Sequence, residues 1–171
     1  FFPFIKKNKD NAEMVSELLG EMNVSHTGCY YSPPRLPTAD ATASLGLFLD
    51  YDFAGSGLKV AEVLSGGPLD KADLKIRAGH VIEKIDGQAL DRTVDHYRLL
   101  NRKAGKLTLL SVFDPASGSR WEEAVKPISS GEENGLLYRR WVRNRRAEVD
   151  RLSGGRLGYV HVQSMNDASY R

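Results

Sequence analysis

Between Ser44 and Ile128 the chain breaks into short apolar runs separated by turn residues: LGLFLDYD, LKVAEVL, GHVIEKIDG, KLTLLSVF and EEAVKPI. This spacing restricts the fold more than any other feature. Short runs rich in Val, Ile, Leu and Phe suit strands that bury one face. Gly66-Gly67-Pro68 and Asp86-Gly87 stand between them as turns, and Asp-Gly tolerates the positive φ angles of a two-residue hairpin. Two interposed stretches, LDKADL and TVDHYRLLNRK, have helical spacing; the second places Val94, Tyr97, Leu99 and Leu100 largely on one side. Five or six strands with two short helices predict an α+β unit, a small, partly open β-barrel.

The flanks read differently. Met14, Val15, Leu18, Leu19 and Met22 fall at helical spacing between Asn11 and Met22, with Asp10 or Asn11 available as a cap. In SPPRLPTADA, Pro33, Pro34 and Pro37 prevent a regular helix, which sets a boundary near Pro37 to Ala43. SSGEEN at 129–134 reads as a polar linker. LLYRRWVRNRRAEVDRL then puts Leu137, Trp141, Val149 and Leu152 near one helical face, and Gly154-Gly155 stops it. RLGYVHVQSM alternates apolar and polar residues as a half-buried strand does. The expected division is 1–38, 39–129 and 130–171.

With 41% hydrophobic and 27% charged residues, the 171-residue chain has the balance of a globular protein. A formal charge of +2 supplies no general field for nucleic acid or an anionic membrane. The arginines at 139, 140, 143, 145, 146 and 151 form a local basic cluster, read as the solvated face of a packed helix; no nucleic acid is expected. No apolar run approaches the roughly 18–20 residues that span a bilayer, so membrane insertion is not expected. The single Cys29 excludes an internal disulfide, and the four histidines have no zinc-like spacing; no cofactor is expected. A start without Met and an end inside a structured element predict a fragment of a longer protein.

The run SLGLFLD fits a Gly-containing loop entering an edge strand, where successive backbone N–H groups can point at a carboxylate. A neighbouring helix would complete a groove for an extended peptide. Downstream, SGGPLDKADLKIRAGHVIEKIDGQAL and TVDHYRLLNRKAGKLTLLSVF resemble the centre, groove helix and following strand of PDZ domains. This resemblance implies that Leu45, Gly46, Leu47 and Phe48 are the substrate-binding loop and strand, and that Val94 begins the groove helix. An apolar Val94 implies an apolar preference two residues before the peptide's C-terminus; His96 is close by, and a shift of one or two residues in the helix start would change that assignment. A groove that is blocked or packs on neighbouring domains is the alternative.

ELLGEMNVSHTG at 17–28, the PDZ-like segment, and LLYRRWVRNRRAEVDRLSGGRLGYVHVQSM at 136–165 together resemble the core of tricorn-type serine proteases and, more distantly, the C-terminal processing peptidases. The resemblance implies that His26 is the catalytic base and Ser25 the hydroxyl linking it to a distant acid. The nucleophilic serine would lie in a glycine-rich turn after GYVHV, and the acid further on, both past Arg171. The implied activity is peptide or unfolded-polypeptide hydrolysis by a full-length homo-oligomer, with this fragment inactive alone. A Ser-His pair by itself is more often a turn, and Cys29 near His26 is a weaker candidate nucleophile. The alternative function is a non-catalytic PDZ scaffold binding protein C-termini. The compartment stays open: tricorn proteases are cytoplasmic assemblies, related processing peptidases are exported.

Overall fold

The computed structural model describes residues 2–34, 36, 39–91 and 93–170. Pro37 and Thr38, within and beside the first expected boundary, lie outside the described residues, as do Phe1 and Arg171 at the outer limits of the expected division. The chain forms two compact units, Phe1–Ala39 and Asp40–Arg171.

In the first unit a 3-10 turn at Phe2–Phe4 precedes α1, Asn8–Gly20. The helix begins earlier than Asn11 because the Asp10 carboxylate accepts the backbone N–H groups of Lys6 and Lys7, both at 3.0 Å. It ends before Met22, which is exposed, as is Leu18.

The second unit is α+β. Six strands, β1 (Leu47–Leu49), β2 (Leu58–Val63), β3 (Val81–Ile85), β4 (Gln88–Ala89), β5 (Thr108–Phe113) and β6 (Arg120–Val125), form one antiparallel sheet. Their order is β1-β2-β3-β5-β6, with β4 paired to β3. The sheet stays open, with β1 at an edge. An isolated bridge between Ser44 and Ile128 ties the approach to β1 to the exit from β6. Asp86 and Gly87 form the two-residue β3–β4 turn with φ of 49° and 80°, the paired positive values of a type I′ hairpin. The core gathers Val60, Ile82, Ile85, Leu110 and Val112 from the strands and Leu69, Ile76 and Leu100 from the connections.

LDKADL is not a helix. Asp70 accepts the Gly66 N–H at 2.8 Å and Leu74 N–H reaches Lys71 O, so local turns take the hydrogen bonds a helix would need, while Leu69 is sent into the core. The next helix, α2, covers only His96–Leu99. Asp91 accepts the N–H groups of Thr93 and Val94 at 2.7 and 3.1 Å, closing a turn, and Asp95 caps α2 through Tyr97 N–H at 3.0 Å. Val94 therefore precedes the helix and does not begin it.

The long helix α3 runs Ser130–Ser153 and absorbs most of the SSGEEN stretch expected to be a linker. A capping box explains this: Ser129 Oγ accepts Glu132 N–H at 3.3 Å, and the Glu132 carboxylate accepts Ser129 N–H at 2.8 Å. Gly154, at φ 60°, ends the helix in a left-handed cap. Leu136 is buried against Gly66 and Gly67, and Arg140 forms a two-pronged ion pair with Glu62 of β2 at 2.7 and 2.6 Å while lying 4.8 Å over the Phe48 ring of β1. These contacts fix α3 to the β1–β2 side of the sheet.

RLGYVHVQSM joins no ladder, and Val160 and Val162 are exposed. Strand patterning needs a neighbouring strand to take its N–H and C=O groups, and the described residues provide none. His161 instead packs against Tyr138, Trp141 and Tyr159. A short helix, α4 (Asp167–Tyr170), follows. Among the described residues no helix is long and apolar enough to cross a membrane.

Candidate functional site

Ser25 and His26 occupy an exposed turn after α1. His26 has φ 66°, in the left-handed region that L-residues avoid. Thr27 Oγ1 donates to Val24 O at 3.2 Å across this turn and holds its shape. Among the described residues neither the Ser25 nor the His26 side chain makes a hydrogen bond. The imidazole is thus presented to solvent by a strained backbone, with both ring nitrogens available. Cys29, three residues on, is half-buried.

The second candidate site lies in the sheet unit. Between β1 and α2 is a cavity of about 380 Å³, lined by Leu45, Leu47 and Leu49 on one side and His96, Tyr97 and Leu100 on the other. Edge-strand position leaves β1 able to accept an added strand, while the apolar lining offers pockets for alternate side chains. Val94 instead lines a neighbouring cavity of about 240 Å³ with Leu49, Tyr51 and His96. Phe48 borders the groove and carries the Arg140 guanidinium on its ring.

The loop leading into β1 is tightly specified. Gly46 has φ 66°, and a Cβ there would sit 2.7 Å from Pro68 Cδ, so both backbone conformation and space require glycine. Its N–H donates to Ser44 Oγ at 2.9 Å, and that hydroxyl is in turn hydrogen-bonded to the Glu133 carboxylate of α3. At the groove mouth the Tyr51 and Tyr97 hydroxyls are 3.4 Å apart; this contact, with burial, pushes the Tyr97 phenol up to about 12. Burial holds the His96 imidazole below its ordinary value, opposed by the neighbouring Asp95.

Glu133 and Tyr51 are site residues that strand and helix patterning did not single out. The signal for Glu133 was present: Ser129-x-x-Glu132 is a capping-box spacing, which puts the following acid on the first turn of a helix.

An open antiparallel sheet with a Gly-kinked loop, an edge strand and a short helix across an apolar groove defines an α+β module. Over nearly its whole length the chain is similar to one segment of tricorn proteases. Tricorn protease homolog 1 of Streptomyces coelicolor is 31% identical over 170 residues, which is 94% of this chain and 16% of that protein. The tricorn protease of Thermoplasma acidophilum is 25% identical over 171 residues, 95% of this chain and 15% of that protein. The solved structure described as the crystal structure of the tricorn protease superposes with a TM-score of 0.74 at 22% identity, covering 98% of this chain and 17% of that chain. The chain thus spans less than a fifth of these relatives. No protein-family model matches it.

Proposed function

We propose that this chain is a segment of a tricorn-type serine peptidase, with His26 as general base and Ser25 as the hydroxyl that orients it. The observation that carries this reading is similarity to a tricorn protease homolog over 94% of the chain, an extent that takes in both units. The geometry of the turn supports it. A serine hydroxyl becomes an effective nucleophile when an imidazole removes its proton, and a partner on the other ring nitrogen fixes the tautomer. An exposed imidazole with both nitrogens free can take those two partners. Strained backbone of the kind seen at His26 costs about 1 kcal/mol and concentrates at functional sites.

In this reading the nucleophilic serine and the acid lie past Arg171, the substrate is a peptide or unfolded polypeptide, and the full-length protein is a homo-oligomer. Residues 39–129 form the PDZ-like part, in which Leu45, Gly46, Leu47 and Phe48 guide an extended chain along β1. The test is His26→Ala in the full-length protein. Peptide cleavage and labelling by a serine-directed phosphonate should fall at least about 10⁴-fold while the fold persists. Retained cleavage would overturn the assignment of His26 as base, whereas no cleavage by the unaltered full-length protein would leave a non-catalytic scaffold as the better account.

A further inference from the structure

We propose that the β1–α2 groove selects an extended peptide presenting a lysine or arginine side chain at its Ser44–Glu133 end, and rejects a free C-terminal carboxylate there. This rests on the reading of the groove as a peptide-docking site and specifies what that site accepts.

Two of the N–H donors in the loop before β1 are already committed within the chain. Ser44 N–H is bonded to Ile128 O at 2.8 Å, and Gly46 N–H to Ser44 Oγ at 2.9 Å. The Ser44 hydroxyl is committed to Glu133, so an acidic side chain from α3 stands at the loop. Of the residues lining the cavity, Glu133 is the one with a carboxylate, and none is lysine or arginine. The titratable side chains facing the space are otherwise Tyr51, His96 and Tyr97.

The nearby cation cannot compensate. Arg140 is held by both Glu62 oxygens and stacked on Phe48. At the positive end of α3 a capping box is already in place: Ser129 Oγ accepts Glu132 N–H and the Glu132 carboxylate, a negative charge on the first turn, accepts Ser129 N–H. An arriving carboxylate would therefore meet a like charge beside an apolar wall, where desolvation strengthens repulsion. An arriving ammonium or guanidinium would find a partner. Its methylene stem would lie along Leu47 and Leu137, both of which line the cavity.

The experiment is fluorescence anisotropy of the 171-residue chain with a fluorescein-labelled octapeptide of alternating Thr and Val, ending in Lys amide, Leu amide or Leu free acid. Lys amide should bind at least about tenfold tighter than the free acid, about 1.4 kcal/mol, with Leu amide between them. The gap should shrink between 0.05 and 0.5 M salt. Glu133→Gln should bring the three peptides within about twofold of one another, and Tyr97→Ala, at an exposed position on the groove wall, should weaken all three. Free acid binding as tightly as Lys amide to the unaltered chain would overturn this inference while leaving peptide docking in place. Failure of every peptide to bind at millimolar concentration would remove the docking reading and this inference with it.

Discussion

Replacing Arg140 with methionine removes the guanidinium while keeping much of the aliphatic stem, so the loss isolates the charge that joins α3 to the sheet edge. Both partners of the Arg140–Glu62 pair are about a third exposed, at 33% and 38%, so the interaction belongs between the surface and buried limits. A two-pronged pair in that setting contributes about 1 kcal/mol. The guanidinium over the Phe48 ring adds about 0.5–1 kcal/mol. Arg140→Met should therefore destabilise the sheet unit by about 1.5–2 kcal/mol, or about 5 °C in Tm. Urea unfolding followed by tryptophan fluorescence reads this directly, because Trp121 and Trp141 both lie in that unit. A double-mutant cycle with Glu62→Gln should return a coupling of about 1 kcal/mol at pH 7. Hydrogen bonding to Arg140 holds the Glu62 carboxyl below its ordinary value of 4.5, so the coupling is complete above that value and disappears as pH falls through the lower folded-state value. Zero coupling at pH 7, or coupling unchanged after full acidification, would refute the claim that this pair anchors α3.

Two further perturbations test the groove. Gly46→Ala imposes about 1 kcal/mol of positive-φ strain and about 1–3 kcal/mol of overpacking against Pro68, so its urea midpoint should fall by the equivalent of about 2–4 kcal/mol; a loss under about 1 kcal/mol would show that the loop relaxes freely. His96 is held below its ordinary 6.5 by burial, so the unfolded chain takes up its proton first on acidification. Stability relative to His96→Gln should be constant above pH 6.5 and decline as pH falls from there through the folded-state value; a pH-independent difference would refute the burial argument.

The strands were legible because each apolar run meets a neighbour within the chain. Leu110 and Val112 alternate along β5 and lie with Ile82 of β3 in the core, and Asp86-Gly87 carries its turn type in its residues. The loop Ser44–Leu47 was legible for a similar local reason: only glycine tolerates the Gly46 geometry. What periodicity missed was competition from side chains for backbone groups. Asp70 and Asp91 draw N–H groups into turns, which removes the LDKADL helix and delays α2 past Val94. Ser129 and Glu132 do the reverse, extending a helix back through residues whose composition reads as a linker. Alternation in GYVHV signals a strand only where a partner edge exists, which the described residues do not supply. The role of Glu133 depended on where α3 docks, a tertiary fact set by Leu136 and Arg140 and absent from any local window.

α3 joins the groove to a distant point by a stiff rod. Twenty residues separate Glu133 from Ser153, and at helical rise that is about 30 Å. A tilt of about 5° at the Glu133 end would sweep the far end through about 2.5 Å, roughly half a helical turn of pitch. A side chain that displaces Glu133 from Ser44 therefore works on the short arm of a lever, and the aromatic cluster of Tyr138, Trp141 and His161 sits close to its fulcrum.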